Sequence, residues 1–218
     1  MFLDDELREL KLKLSKMADI AIDMVEKSMK VLIERDSDLI KMVVETDDAV
    51  DSLDNEIDSH CLKLCALKQP KADDLRLILS SLKINIAIER IADNAVNMAE
   101  WAEKINKQLQ LKPYIDLPAM KETTILMVKD ALNAFFTKDT EKAKKVILLD
   151  DKVDNYEVQI IRELMTYVME NPRNIPRAIG LMSIARAMER IADQATNIAE
   201  QAIFVTEGKI YKHHRERK

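Results

Sequence analysis

Four aspartates, Asp47, Asp51, Asp54 and Asp58, recur at intervals of four, three and four residues, the spacing that lines side chains along one face of an α-helix. Glu89, Asp93, Asn97 and Glu100 form a similar row, and Asp150, Asp154 and Glu157, then Glu189, Asp193, Asn197 and Glu200, form two more. Like charges four residues apart destabilise a helix by about 0.2–0.5 kcal/mol per pair. A solvated helix face normally interleaves the two signs, whereas these rows place acid after acid. A multivalent cation would offset the repulsion. Carboxylates and an amide oxygen, without Cys or His in the rows, suit hard oxygen-seeking cations: Mg²⁺, Ca²⁺, Mn²⁺ or iron. The alternative is a set of acidic faces that are merely wet, the usual reading of a lone Glu-x-x-x-Asp. Recurrence at matched positions on four helices brings the two readings level.

No other group of residues proposes a reaction. A ferritin-like di-iron site uses Glu-x-x-His pairs, but His60, His213 and His214 follow Ile57, Ile210 and Tyr211 at that spacing. Nucleophile–base constellations, phosphate-cradling glycine loops and HExxH are all missing from the sequence. Cys61 and Cys65 are four apart and too few for a metal site, so both read as reduced packing residues.

The elements that carry the rows are written twice. Glu89-Arg-Ile-Ala-Asp-Asn-Ala-Val-Asn-Met-Ala-Glu100 matches Glu189-Arg-Ile-Ala-Asp-Gln-Ala-Thr-Asn-Ile-Ala-Glu200 at nine of twelve positions, at an offset of 100. The segments 47–54 and 150–157 match at an offset of 103, as do 35–38 and 138–141. Two tandem copies of one unit follow. Breaks at Gln69-Pro70 and Asn171-Pro172 divide each copy into three helices. The first copy has a helix from about Asp4 to Glu34, a second capped by Asp36 or Ser37 and ending near Leu67, and a third from about Asp73 to Leu109. In the second copy the helices run from about Pro118 to Phe136, from a cap at Asp139 to Glu170, and from Ile175 to Glu207, with Gly208 suited to the terminating position. Arg90 and Arg190 are expected at the edge of the acid rows. The expected architecture is all-α: two tandem, pseudo-symmetric three-helix bundles, six helices running up and down. The units are 1–111 and 119–208, with a linker at 112–118 and a basic tail at 209–218.

Composition agrees. Of 218 residues 47% are hydrophobic and 33% charged, which favours a packed core over disorder. Two glycines and 4% aromatics argue against a turn-rich sheet protein. No apolar run approaches the length of a membrane span, and the acidic start lacks the basic region of a signal peptide, so an intracellular, soluble chain is expected. The tail carries five basic residues and one acidic, a net of +4, leaving −9 on the remainder against −5 overall. An acidic body does not suit a nucleic-acid binder, and the tail reads first as a frayed, solvated end, with docking on an acidic partner or lipid surface as the alternative.

The twin Glu-Arg-Ile-x-Asp-x-x-x-Asn-x-Ala-Glu blocks, with the Asp-x-x-x-Asp blocks before them, resemble the PhoU family of phosphate transport system regulators over nearly the whole chain. The resemblance implies a cytoplasmic protein, commonly a homodimer. It would associate with the ATPase of the membrane phosphate transporter and with a sensor histidine kinase, meeting the membrane only through these partners. It would lower uptake and starvation signalling when phosphate is plentiful. It also implies a metal, iron, zinc or another divalent cation, on Asp47, Asp51, Glu89 and Asp93 and on Asp150, Asp154, Glu189 and Asp193. The family block often reads Glu-Arg-Ile-Gly-Asp-His; here Ala92 and Ala192 replace Gly, and Asn94 and Gln194 replace His. The imidazole is lost and the carboxylates remain. A regulator rather than an enzyme is expected; the competing reading is a metal-binding or storage bundle with redox activity.

Overall fold

In the computed structural model, residues 3–212 are described, and most of them lie in six long helices: α1 (Leu3–Glu34), α2 (Asp38–Lys68), α3 (Ala72–Asn106), α4 (Asp116–Thr137), α5 (Thr140–Glu170) and α6 (Ile175–Glu207). Residues 213–218, which include most of the expected basic tail, lie outside the described residues.

The helix ends follow local chemistry. Asp4, Asp5 and Glu6 put negative charge at the positive end of the α1 dipole. The Asp139 side chain accepts the amide N–H of Lys142 at 2.9 Å and caps α5. Asp36 takes the N–H of Asp38 at 3.0 Å before α2, while Ser37 makes no capping bond. A short 3₁₀ turn, Pro172–Asn174, leads into α6, which ends at Gly208 with φ +69°. At that φ an L side chain is strained, and glycine is not.

Two boundaries differ from expectation. Helix α3 ends at Asn106 rather than near Leu109, and α4 starts at Asp116, so it takes in the last three residues of the expected linker. Pro118 does not prevent this, because a proline in the first helical turn forfeits an N–H that has no intrahelical acceptor anyway. The connection is held by side chains. The Arg35 guanidinium donates to the carbonyls of Asn106 and Gln108, and Arg177 donates to that of Leu109 at 3.0 Å.

Helices α1–α3 form unit one and α4–α6 form unit two. α2 packs on α1 and α3, and α5 packs on α4 and α6. The units join chiefly through α3 against α6, with a smaller contact between α1 and α4. The expected core stripe of α3 (Ile84, Ile88, Ile91, Ala95, Met98, Ala102) is fully buried, as are Val43, Val50, Leu53, Ile57 and Leu64 of α2; Leu39 is only half-buried. α3 and α6 cross closely where glycine stands in α6: a Cβ on Gly180 would lie 2.6 Å from Cγ1 of Ile105. Cys61 is buried and free, its thiol pushed up to about 12 by burial, then by Asp58 and Cys65.

Candidate functional site: the acid rows

Each unit sets its acid row where its middle helix meets its last. In unit one the row lies on α2, beside Glu89 and Asp93 of α3. Asp47 and Glu89 are half-buried, while Asp51 and Asp93 are exposed. Burial raises the Asp47 carboxyl above its ordinary value, followed by the charges of Asp51, Asp93 and Asp48. Glu89 is raised by burial, then by Asp93 and Asp54, with Arg90 acting against them and Asp51 adding to them. The two helices therefore bring these four acids into mutual electrostatic range, as the spacing predicts. Arg90 stands beside the row as expected.

Two further members of the row are held by a residue that local spacing did not single out. Asn85 is fully buried on α3, and its Nδ2 donates to Oδ1 of Asp54 at 2.7 Å and Oδ1 of Asp58 at 3.0 Å. A lone Asn in the run Leu82-Lys-Ile-Asn-Ile-Ala-Ile88 is the signal that could have exposed it, since a buried amide needs acceptors. Asp54 is also raised, by burial first and then by Asp58 and Asp51. Asn97 does not extend the row as an open acceptor alone: its amide N–H donates to the backbone oxygen of Asp93 at 2.9 Å.

Unit two places its quartet deeper. Asp150 is 2% exposed, and Asp154, Glu189 and Asp193 are half-buried. All four have polar or electrostatic interactions. The third acid of this row, Glu157, pairs with Arg186 of α6 at 3.5 Å. No guanidinium occupies the corresponding place in unit one, where Ile86 stands at the 100-residue offset.

The donors fit a hard cation in kind. They are oxygen-only, and burial with neighbouring carboxylates holds the protons of Asp47 and Glu89 above their usual range, so a cation between α2 and α3 would replace repulsion with attraction. They do not converge to a single compact shell. Among the described residues, the one group of three or more ligating side chains with ligand atoms all within 4.8 Å of one another is Glu6, Glu9 and His60, outside the acid rows. Residues 54 positions apart in sequence meet there, which is why no local pattern revealed it.

The family model for the PhoU domain matches residues 14–102 and again 117–202. A phosphate-specific transport system accessory protein PhoU homolog of Aquifex aeolicus (strain VF5) is 44% identical over 213 residues, 98% of this chain and 96% of that protein. The accessory protein PhoU of Escherichia coli (strain K12) is 34% identical over 95% of this chain and 86% of its own length. The crystal structure of PhoU from Pseudomonas aeruginosa superposes with a TM-score of 0.91 at 34% identity, over 95% of this chain and all of that one.

Proposed function

Since the chain belongs to the PhoU family, we propose that it is a cytoplasmic regulator of phosphate uptake and of phosphate-starvation signalling. It acts by binding, not by catalysis. Its partners are the ATPase subunit of the membrane phosphate transporter and a sensor histidine kinase, and through them it represses uptake and signalling when phosphate is plentiful. The observation that carries the reading is the doubled family match over nearly the whole chain, joined to relatives named as accessory proteins of a phosphate-specific transport system. No described helix is long and apolar enough to cross a membrane, which accords with a protein brought to the bilayer by its partners. The working form is a homodimer.

The acid rows hold the cation. Asp47, Asp51, Glu89 and Asp93 serve unit one, and Asp150, Asp154, Glu189 and Asp193 serve unit two. The cation is iron or another divalent ion of the Mg, Ca, Mn or Zn group. When bound it supplies positive charge that pins α2 to α3 and α5 to α6, fixing the helix faces offered to a partner. The protein's own contribution is the spacing of the carboxylates, with Asp150 the most deeply buried of them.

Recovery of tagged protein from cells grown in high and in low phosphate tests the assignment. The transporter ATPase or the sensor kinase is expected among the recovered proteins, more abundantly at high phosphate. Recovery of neither, with normal phosphate responses in a deletion strain, refutes it. Element analysis tests the metal separately: the Asp93→Ala/Asp193→Ala double variant should lose metal, and an unchanged content removes those acids from the ligand set.

A further inference from the structure

We propose that Glu6, Glu9 and His60 form a binding site for one divalent cation of the zinc, cobalt or nickel class, on the flank of unit one and separate from the acid rows. The site is built between α1 and α2. Helix α2 shows α3 its aspartates, and shows α1 a different face that carries His60. Both glutamates and His60 border a cleft of about 620 Å³ between these helices.

His60 is 8% exposed, and its Nε2 lies 2.9 Å from Oε2 of Glu6. At that distance either the imidazole donates its Nε2–H to the carboxylate or both atoms ligate one metal ion. Nδ1 is buried without a hydrogen-bond partner, so Nε2, which faces Glu6, is the nitrogen that carries the hydrogen or the metal. A proton satisfies Glu6 alone. Glu9 adds a second carboxylate, and ligand atoms of all three residues lie within 4.8 Å of one another. Two carboxylates and a neutral imidazole balance a dication, and the imidazole favours the zinc side of the transition series over Mg²⁺ or Ca²⁺.

Two lysines compete for the carboxylates. Lys13 Nζ is 3.3 Å from Glu9 and 3.7 Å from Glu56, and Lys68 Nζ is 3.9 Å from Glu6. Both side chains reach solvent, and such pairs are weak enough for a metal to displace. Unit two has closed the equivalent place. At the 103-residue offset Glu163 of α5 stands for His60, and Lys112, from the connection before α4, forms an ion pair with it. One lysine there neutralises one carboxylate, while unit one has a surplus carboxylate beside an imidazole.

Titration of the full-length protein with Co²⁺, in excess Mg²⁺ to occupy oxygen-only sites, tests the proposal through the visible absorption of the cobalt. The expected result is one Co²⁺ per chain, displaced by Zn²⁺, with affinity reduced about tenfold or more by His60→Gln and by Glu9→Gln. Glu122→Gln, an exposed carboxylate of α4 outside both sites, should leave the titration unchanged. The Glu9 side chain is 45% exposed, so Glu9→Gln keeps the fold even if His60→Gln does not; circular dichroism checks both. Wild-type protein that binds no Co²⁺ at millimolar metal overturns the site. So does unchanged affinity in Glu9→Gln, or loss of the signal in Glu122→Gln.

Discussion

In unit one a buried amide, Asn85, reaches from α3 to two aspartates of α2. In unit two its counterpart at the 100-residue offset is Ala185, and the neighbouring Arg186 pairs with Glu157. The flank of α1 and α2 shows a similar exchange, with imidazole and carboxylates in unit one and a lysine–glutamate pair in unit two. Duplication has kept the three-helix plan and the acid quartets and changed the groups that compensate them. In unit one the row is met by an amide, and the flank by lysines whose side chains reach solvent, Lys13 and Lys68. In unit two the row is met by Arg186 and the flank by Lys112, whose side chain is buried. The copies are thus alike in fold and unlike in what they leave for a ligand to neutralise.

The largest expected effect is at the fixed cation of unit two. The Lys112 side chain is 3% exposed and that of Glu163 is 38% exposed. Glu163→Gln leaves a buried ammonium without its counter-ion, and the cost should be about 2–3 kcal/mol, below the full penalty of a wholly buried pair because water reaches the glutamate. Glu6→Gln, the loss of the carboxylate in unit one, leaves His60 facing an amide that can still pair with it and should cost about 1 kcal/mol or less. Urea denaturation of the two variants compares them; equal losses would show that the lysine pair is no more essential than its imidazole counterpart.

A second contrast lies at the junction of the units. Gly180 of α6 and Ser80 of α3 are counterparts at the 100-residue offset. Gly180 faces Ile105 and Trp101, with no room for a methyl group. Ser80 is fully buried, and its Oγ donates to Oε1 of Gln201 at 3.3 Å. Gly180→Ala should cost about 1–2 kcal/mol, the overpacking of a β-branched neighbour outweighing the better helix propensity of alanine. Ile105→Ala in the same chain should recover part of the loss, a coupling read from a double-mutant cycle. Ser80→Ala, which deletes one long hydrogen bond, should cost less than Gly180→Ala. A larger cost for Ser80→Ala would reverse the assignment of the tight side of the junction.

The sequence carried the six helices and the two acid quartets because both are periodic: a repeat at an offset of 100 or 103 and rows at helical spacing are visible without coordinates. It did not carry what joins the rows. Asn85, Arg186, Glu6 and His60 act across helices, and each looks ordinary within its own helix. The start of α4 was missed for a different reason. Pro118 marks a boundary by its usual effect, yet the first helical turn admits it, and α4 begins earlier at Asp116. Nor could spacing foresee that Asp150 would be 2% exposed while its counterpart Asp47 stays half-buried, since that depends on the neighbouring helices and not on the row.

The smallest expected effect tests whether the unit-one row is repulsive as it stands. Asp54 is raised above its ordinary value of 3.8 by burial, then by Asp58 and Asp51. A folded-state value above the unfolded one means that the folded protein holds this proton more tightly. The contribution is present below the unfolded pKa and is lost as pH rises through the folded one. Asp54→Asn has no proton to lose, and its amide oxygen can still accept from Asn85. In chelator-treated buffer the variant should match wild type near pH 3 and become slightly the more stable as pH climbs past the Asp54 transition, measured by melting temperature. Added divalent cation should then close the gap, because it stabilises the wild-type row more than the neutralised one. A gap that is constant with pH would mean that the change acts through packing, leaving the crowded aspartates of α2 without an energetic reason to recruit an ion.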